Sequence, residues 1–431
     1  MDINSNTYIT RSADKSSTCD VSADIAIVGA GIGGISAALE CARLGHRVVL
    51  IDGQANLGGQ SVMGLIGTFC GLFSNGPKPH QVTHGIADEI LAALQAEDAA
   101  RFMYGRRNTC IVQYDDIVLA RWIENSVAAE PNIQLLTGAI LRGVTRDGRK
   151  IKKLSVAHRF GDASVTAKHY IDASGDATIA WQAGLACREP EIPVLGTNMF
   201  VLEGVDEGAD LVRDDVERAL NERGSDHGLE RLDGFVFAIS GTGRALVNMT
   251  HLETPLDPVG FSAQGLAGRE AADRVVEFLR AEFPAALGRA TVRNYGQLGV
   301  RQTRWITGRH HMTVDEVRAG TRYDDAILRC SWPIELHHDK REAYWEVFDD
   351  DHMHYAPLRS MTPDESDNLI AVGRCIDGDV AALASVRVMG PCIAMGAAAA
   401  HTIDLAGAGS LHQVDVRTLQ SRLADNLERT D

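Results

Sequence analysis

Three glycines, Gly29, Gly31 and Gly34, stand at G-x-G-x-x-G spacing directly after the apolar run Ile25-Ala26-Ile27-Val28. An acid, Asp52, follows 23 residues after Gly29 at the end of a second apolar run, Arg47 to Ile51. Residues of these types at these distances can hold a dinucleotide. Gly29 permits a tight turn, Gly31 lets backbone approach a pyrophosphate, and Gly34 lets the following helix pack closely on the strand. The helix N-terminus then offers free N–H groups and a positive dipole to the phosphates. The Asp52 carboxylate suits the two hydroxyls of an adenosine ribose, and an acid there argues against a 2′-phosphate and so against NADP.

The elements that must position these groups follow from the pattern. Ile25 to Val28 reads as a buried parallel strand, the next helix runs through Leu39 to Leu44 and stops at Gly45, and a second strand ends in Asp52. Leu57-Gly58-Gly59-Gln60-Ser61 opens a loop-like segment through Gly64, Gly67, Gly71 and Gly76. Residues 114 to 130 read as helix, and strands are expected at Ile133 to Leu136, Ala139 to Val144 and Lys152 to His158, with a turn at Asp147-Gly148. Tyr170-Ile171-Asp172-Ala173-Ser174-Gly175-Asp176 repeats the grammar of a buried strand ending in a glycine turn, as does Asn368-Leu369-Ile370-Ala371-Val372-Gly373-Arg374. Between them, from about 190 to 360, aromatic, His and Arg residues become frequent. The predicted fold is α/β: a Rossmann-like nucleotide domain in two parts, 23–190 and 362–425 with a C-terminal helix, and an inserted α+β substrate domain at 191–361.

At 431 residues the chain exceeds the usual size of one core, which favours two domains. Lys and Arg number 42 against 58 Asp and Glu, a net charge of −16, so nucleic acid is not an expected partner and an anionic membrane is not favoured. Residues 1–22, rich in Ser, Thr, Asn and Asp and lacking an apolar core, read as a disordered lead and not a signal peptide. With no run of 18 apolar residues the expectation is a soluble, cytoplasmic protein, and a homo-oligomer is left open. Eight cysteines contain no C-x-x-C, which argues against iron–sulfur clusters, zinc knuckles and a redox dithiol. His310, His311, His337, His338, His352 and His354 cluster without zinc-motif spacing, so no metal is assigned.

With Gly29 to Asp52, Gly58-Gly59, Ala173-Ser174-Gly175-Asp176 and Val372-Gly373-Arg374-Cys375 in that order, the chain resembles FAD-dependent oxidoreductases of the glutathione-reductase-like superfamily. Gly299-Val300-Arg301-Gln302-Thr303-Arg304, Trp332-Pro333-Ile334-Glu335-Leu336-His337 and Ser385-Val386-Arg387-Val388-Met389 look like one bacterial family of FAD-dependent oxidoreductases, distantly similar to succinate dehydrogenase and fumarate reductase flavoproteins. The resemblance implies FAD as cofactor. Gly29, Gly31, Gly33 and Gly34 would hold its pyrophosphate and Asp52, with Gly53 and Gln54 beside it, its adenosine ribose. Gly58, Gly59, Gln60 and Ser61 would lie along the pyrophosphate and ribityl region, Ile140 would meet the adenine through its backbone, and Ser174, Gly175 and Asp176 would pack beside the cofactor. Where the superfamily often carries an acid after the late glycine Gly373, this chain has Arg374; Gly378-Asp379 is the candidate replacement. Pro391, Cys392 and Ile393 begin an Ala-rich helix whose proline sits in the first turn, where a missing N–H costs nothing, and whose free N–H groups would face the flavin.

A second nucleotide turn for NAD(P)H is not found. Gly241-Thr242-Gly243 lacks a third glycine and a trailing acid, and reads as a simple turn. The flavin is then expected to be reduced by a small polar organic substrate and reoxidised by oxygen or an electron carrier, which makes the protein a dehydrogenase or oxidase. Arg387, just before the flavin-facing helix, is the expected carboxylate anchor. Arg301 and Arg304, three apart, are expected on one helical face. His337 is the candidate base, with Glu335 to orient it. Cys70 follows the cofactor loop closely enough to form a covalent flavin bond or a charge-transfer pair. The alternatives are a flavin monooxygenase or halogenase, although the W-x-W-x-I-P signature of halogenases is absent, and a non-redox flavoprotein with structural FAD.

Overall fold

Ile25–Val28 carries apolar residues on both sides because both of its faces are covered, the arrangement of a central parallel strand. The computed structural model, which describes residues 18–105 and 108–430, places it third in a five-stranded, wholly parallel sheet. The order across that sheet is Leu369–Ala371, His169–Asp172, Ile25–Val28, Val48–Asp52 and Ile133–Thr137. The late strand therefore returns, nearly two hundred residues after His169–Asp172, to hydrogen-bond beside it. All five strands end at one edge, where the loops carrying Gly29, Asp52, Ser174 and Gly373 come together.

Helix Ile32–Arg43 packs against the apolar helix Met389–Ala406. Their approach needs small residues: a Cβ at Gly396 would stand 2.6 Å from the Gly33 carbonyl oxygen, and the Ser36 hydroxyl donates to the Ile393 carbonyl at 2.8 Å. The Ala-rich composition of 393–406 is thus a packing requirement. Among the described residues no single helix is long and apolar enough to cross a membrane; only the sharply bent pair Val380–Val386 and Met389–Ala406 passes on length and composition, and both helices lie in the core.

A second sheet of four strands joins Ala139–Asp147, Lys150–His158 and Gly161–Thr166 as a meander, with Thr18–Ser22 added in parallel at its edge. The polar lead expected to run to residue 22 therefore ends earlier: pairing with 162–166 and the burial of Val21 turn residues 18–22 into a strand. The rest of that lead, 1–17, lies outside the described residues. A third, antiparallel sheet, Phe235–Ile239, Arg244–Asn248, Thr197–Glu203 and Thr291–Gly299, packs under the long helix Pro258–Glu282 with a core of its own around Phe200, Leu279 and Phe278. Gly241-Thr242-Gly243 is the hairpin turn of this sheet, and its N–H groups from Gly241 and Gly243 are taken by Glu207.

His354 illustrates how the core constrains its polar residues. Its ring is fully buried; Ser385 gives its hydroxyl hydrogen to the Trp332 carbonyl at 2.6 Å, so His354 must donate from Nε2 to the Ser385 oxygen at 2.8 Å. Burial, with His352 beside it, pushes its pKa down to about 3. A histidine neutral in the fold but free to charge in the unfolded chain leaves stability intact above about pH 6.5 and withdraws it as pH falls, at about 1.4 kcal/mol per pH unit. Replacing His354 by Gln, which keeps a donor for Ser385, should remove one proton from the slope of unfolding free energy against pH below neutrality. Chemical-denaturation series on the two proteins will measure it, and an unchanged slope would show that His354 does not titrate this way.

Candidate functional site

The glycine turn closes as its spacing demands. Gly29 has φ +106°, and a Cβ there would lie 2.2 Å from the Ala173 carbonyl oxygen. A Cβ at Gly34 would lie 1.9 Å from the Gly29 carbonyl oxygen, so helix and turn touch backbone to backbone. Gly31 differs: a Cβ there meets nothing within 4 Å, so its face is turned to open space. Gly58-Gly59 runs beside it. Gly58 N–H donates to Ala30 at 2.8 Å, and a Cβ at Gly59 would sit 2.9 Å from Gly31 Cα, so two glycine segments together form one bare backbone floor. Gly33 has a different place from its neighbours. Its side-chain position is closed by Val372 and the Cys392 carbonyl, so its lack of a side chain serves the seam between the two helices.

Asp52 is held at both oxygens, by Ala30 N–H at 2.6 Å and Gln54 N–H at 2.7 Å, which fixes the carboxylate at the mouth of the turn with lone pairs left over. Ile140 projects beside Gly53 and is 62% exposed, a large apolar surface on the same rim. Gln54 reaches across to Gln297 at 3.0 Å.

Two residues expected at the cofactor, Ser61 along the pyrophosphate and ribityl region and Ile393 at the flavin-facing helix start, face elsewhere. Ser61 is buried and spends its hydroxyl on the Gly58 carbonyl at 2.6 Å, because the tight turn at 59–61 leaves that carbonyl nearest; Tyr114 in turn bonds the Ser61 carbonyl at 2.6 Å. Ile393 is buried with its carbonyl on Ser36, committed to the helix seam. The unused N–H groups expected at the start of Met389–Ala406 are also partly spent. Gly390 donates to the Cys70 carbonyl at 3.0 Å, Pro391 has none, and Cys392 donates back to Val388 at 3.2 Å, so what the turn offers is chiefly its dipole.

The Ser174 turn is organised by a residue whose role the sequence did not disclose. Asp172, fully buried, accepts from the Ser174 hydroxyl at 2.6 Å and from Ile179 N–H at 2.7 Å and Ala180 N–H at 3.2 Å; burial raises its pKa, opposed by these bonds. Gly175, at φ +82°, lies against the Arg374 guanidinium and donates to Cys375 Sγ at 3.1 Å. Asp176 accepts from Thr303. Arg374 donates to the Val300 carbonyl, so it fastens the 175 turn to the 300–303 segment. Asp379, the candidate replacement for the acid missing at 374, uses one oxygen to cap the next helix at Ala382 and the other to take Val314 N–H, each at 2.7 Å.

The expected helical face shared by Arg301 and Arg304 does not form. Residues 300–304 are irregular chain after the strand Thr291–Gly299, and the two arginines diverge. Arg304 lies over the Trp181 ring at 3.8 Å and pairs with Glu189 at 3.0 Å. Arg301 turns inward, donates to the Leu195 carbonyl at 2.7 Å, and faces Arg231, Arg387, Glu335 and Asp233. Burial, then Arg231 and Arg387, push it down to about 9; burial likewise pushes Arg387 down to about 10, with Glu335 opposing and Arg374 assisting. Arg387 ends the helix Val380–Val386 and donates to the Glu335 main-chain carbonyl at 3.3 Å. Both remain cations at neutral pH, and their common nearby carboxylate is Glu335.

His337 is not the exposed base of this cluster. Its side chain is 1% exposed and both ring nitrogens are engaged, Nε2 with Glu335 at 3.0 Å and Nδ1 with His251 at 2.9 Å, because alternate residues of the strand Ile334–Leu336 and its continuation place Glu335 and His337 on one side. The Glu335 side chain is 20% exposed and is the end of the pair that reaches open space. Cys70 lies in the electrostatic reach of Glu335 and Arg387; burial pushes its thiol far above the ordinary range, which keeps it protonated and does not favour a thiolate pair with a flavin. Of the remaining histidines, His310 pairs with Glu316 and His311 with Asp377, while His338 is exposed.

The family model described as FAD dependent oxidoreductase matches residues 24–423. The chain belongs to that family. It is an FAD-dependent oxidoreductase, and FAD is its cofactor. A curated relative, a KsdD-like steroid dehydrogenase of Mycolicibacterium smegmatis (strain ATCC 700084 / mc(2)155), is 40% identical over 75 residues, 17% of this chain. The match spans only 13% of that protein's length. Among solved structures, a geranylgeranyl bacteriochlorophyll reductase-like protein of Thermoplasma acidophilum superposes with a TM-score of 0.49 at 14% identity, over 95% of this chain and 85% of the other. A probable FAD-dependent monooxygenase of Pseudomonas aeruginosa, pqsL, gives 0.44 at 16% identity over 94% and 93%.

The residues present fit this cofactor. The bare floor of Gly31 and Gly59 leaves room where a side chain would intrude, and Gln60, the next residue, turns its Oε1 toward Gly64 and Gly299, where it is buried without a hydrogen-bond partner.

Proposed function

We propose that this oxidoreductase oxidises a small metabolite carrying a carboxylate or comparable anionic group, as a dehydrogenase or oxidase, with electrons passing on to oxygen or a carrier. One observation carries the reading: Arg301 and Arg387, drawn from segments 86 residues apart, both lie within electrostatic reach of Glu335, whose side chain is 20% exposed, beside the start of Met389–Ala406. An excess of desolvated positive charge calls for an anion, and a guanidinium can grip one through two parallel hydrogen bonds. Glu335 stands beside it to receive the proton that substrate oxidation releases. FAD supplies the two-electron acceptor. On this reading Gly29, Gly31 and Gly34 with Gly58, Gly59 and Gln60 hold the pyrophosphate, Asp52 the ribose, and Ile140 the adenine. The third sheet and its helix, within 191–361, form the substrate side.

Anaerobic mixing of the yellow holoprotein with a panel of hydroxy, amino and unsaturated carboxylates, neutral analogues and NAD(P)H tests the proposal. Bleaching of the long-wavelength flavin band by carboxylates and not by their amides is expected. Rapid bleaching by NADH alone, with no response to any carboxylate, would overturn it.

A further inference from the structure

His251 stands 86 residues before His337, in irregular chain just after the strand Arg244–Asn248, yet the two rings meet at 5.1 Å between centroids, nearly perpendicular. The chain of contacts is Lys340 carbonyl, His251 Nδ1 at 3.1 Å, His251 Nε2 to His337 Nδ1 at 2.9 Å, and His337 Nε2 to Glu335 Oε1 at 3.0 Å. A carbonyl oxygen can only accept, so His251 Nδ1 must carry a proton. Burial, followed by Arg231 and Arg301, holds His251 far below an ordinary imidazole, so the ring is neutral and its Nε2 is bare. His337 Nδ1 must then donate to it. That leaves His337 Nε2 opposite a carboxylate oxygen, two acceptors face to face unless a proton lies between them.

We propose that His251 is a positioning residue that fixes the polarity of this chain, so that the Glu335–His337 pair of the resting enzyme stores one proton on His337 Nε2, hydrogen-bonded to Glu335. The proposal rests on the oxidation reading for its use, not for its chemistry.

The surroundings favour this distribution. Arg301 and Arg387 lie on the Glu335 side of the pair, the Trp332 indole Nε1 donates to Glu335 Oε2 at 3.3 Å, and Cys70 faces it as a neutral thiol. Around His251, Arg231 and Arg301 oppose a second positive charge, and Asp233 is already paired with Arg231 at 2.5 Å. The proton therefore cannot retreat toward Lys340. During turnover the substrate's acidic proton passes to Glu335, whose free lone pairs face open space, and the pair then holds two protons. One returns to solvent through Glu335 and restores the resting state. A bound FAD would supply the two-electron acceptor for the accompanying hydride, so the proton released to Glu335 is the one that must return to solvent.

Nitrogen-15 spectra of histidine-labelled holoprotein, assigned with His251 and His337 variants, read the stored proton without any substrate. His337 should show both nitrogens protonated at neutral pH, and His251 the neutral Nδ1–H form. H251Q, whose amide oxygen can still accept from His337, should keep the His337 signal; H251L, which cannot, should lose it in favour of a neutral Nε2–H ring. E335Q should also abolish the doubly protonated signal, since the amide can donate where the carboxylate could only accept. A wild-type His337 that is neutral with bare Nδ1, or a His337 signal indifferent to H251L, would overturn the proposal. Failure of every carboxylate to bleach the flavin would instead remove the oxidation reading and leave these spectra as they stand.

Discussion

Replacing Gly31 by valine will cost this protein its FAD while leaving it folded. The backbone there has φ −69° and ψ 176°, extended geometry that a β-branched residue adopts readily, and a Cβ meets no protein atom within 4 Å. The bulk of the isopropyl group falls instead where the pyrophosphate must approach the backbone and the helix N-terminus. Affinity should fall on the order of 100-fold, about 2.7 kcal/mol. Titration of deflavinated protein with FAD measures the loss, and circular dichroism with a melt of the apoprotein verifies the fold. Gly34→Val is the contrasting variant. Its Cβ would collide with the Gly29 carbonyl, whose position is set by the sheet, so that protein should fail to accumulate in folded form. If Gly31→Val binds FAD as tightly as the parent, the cofactor does not cross this turn.

The two glycine positions also show why this part of the site could be read from sequence. A tight turn, a close backbone approach and a ribose acid are local demands, met within 30 residues, and each leaves a residue type at a set distance. The inner strands of the parallel sheet were legible for a related reason: burial on both faces produces short uninterrupted apolar runs such as Ile25–Val28 and residues 48–51. The strand at 18–22 was not, because it is mostly exposed and exists only through its partner at 161–166.

The substrate side was legible as a set of residue types but not as an arrangement. Arg301 and Arg304 have helical spacing, yet the chain leaving the strand Thr291–Gly299 is drawn in by Gln302 and Thr303, which bond the Arg374 carbonyl and Asp176, and this throws the two arginines apart. His337 could be singled out by its place in a segment, but its engagement by His251 depends on a contact between the irregular chain after Arg244–Asn248 and a strand far along the sequence. No local pattern marks His251. Asp172 is similar: it reads as the last residue of a strand, and only the return of 178–180 shows that it is a helix cap. Residues that organise the site through buried hydrogen bonds across the fold leave no periodic trace.

Substitution of Arg387 should separate binding of the substrate's anionic group from the rest of the reaction. Arg387→Met removes a guanidinium that stays charged at neutral pH despite its burial, and leaves the Glu335 main-chain carbonyl without its 3.3 Å donor. If the arginine grips a carboxylate beside the flavin, reduction by the carboxylate that bleaches the parent enzyme should slow by about 10²- to 10³-fold. Arg387→Lys keeps a cation but not the planar fork, so it should recover only part of that loss, and mainly in KM. Reduction by dithionite needs no anchored substrate and should proceed at the parental rate in both variants, which distinguishes a lost anchor from a displaced cofactor. A purely structural arginine predicts the opposite arrangement: loss of FAD or of thermal stability in Arg387→Met, a normal rate per bound flavin, and a lysine variant no worse in KM than the parent. Stopped-flow traces at several substrate concentrations tell the two apart, because an anchor raises the half-saturating concentration and lowers the limiting rate together, whereas a structural tie changes only how much holoenzyme there is to measure.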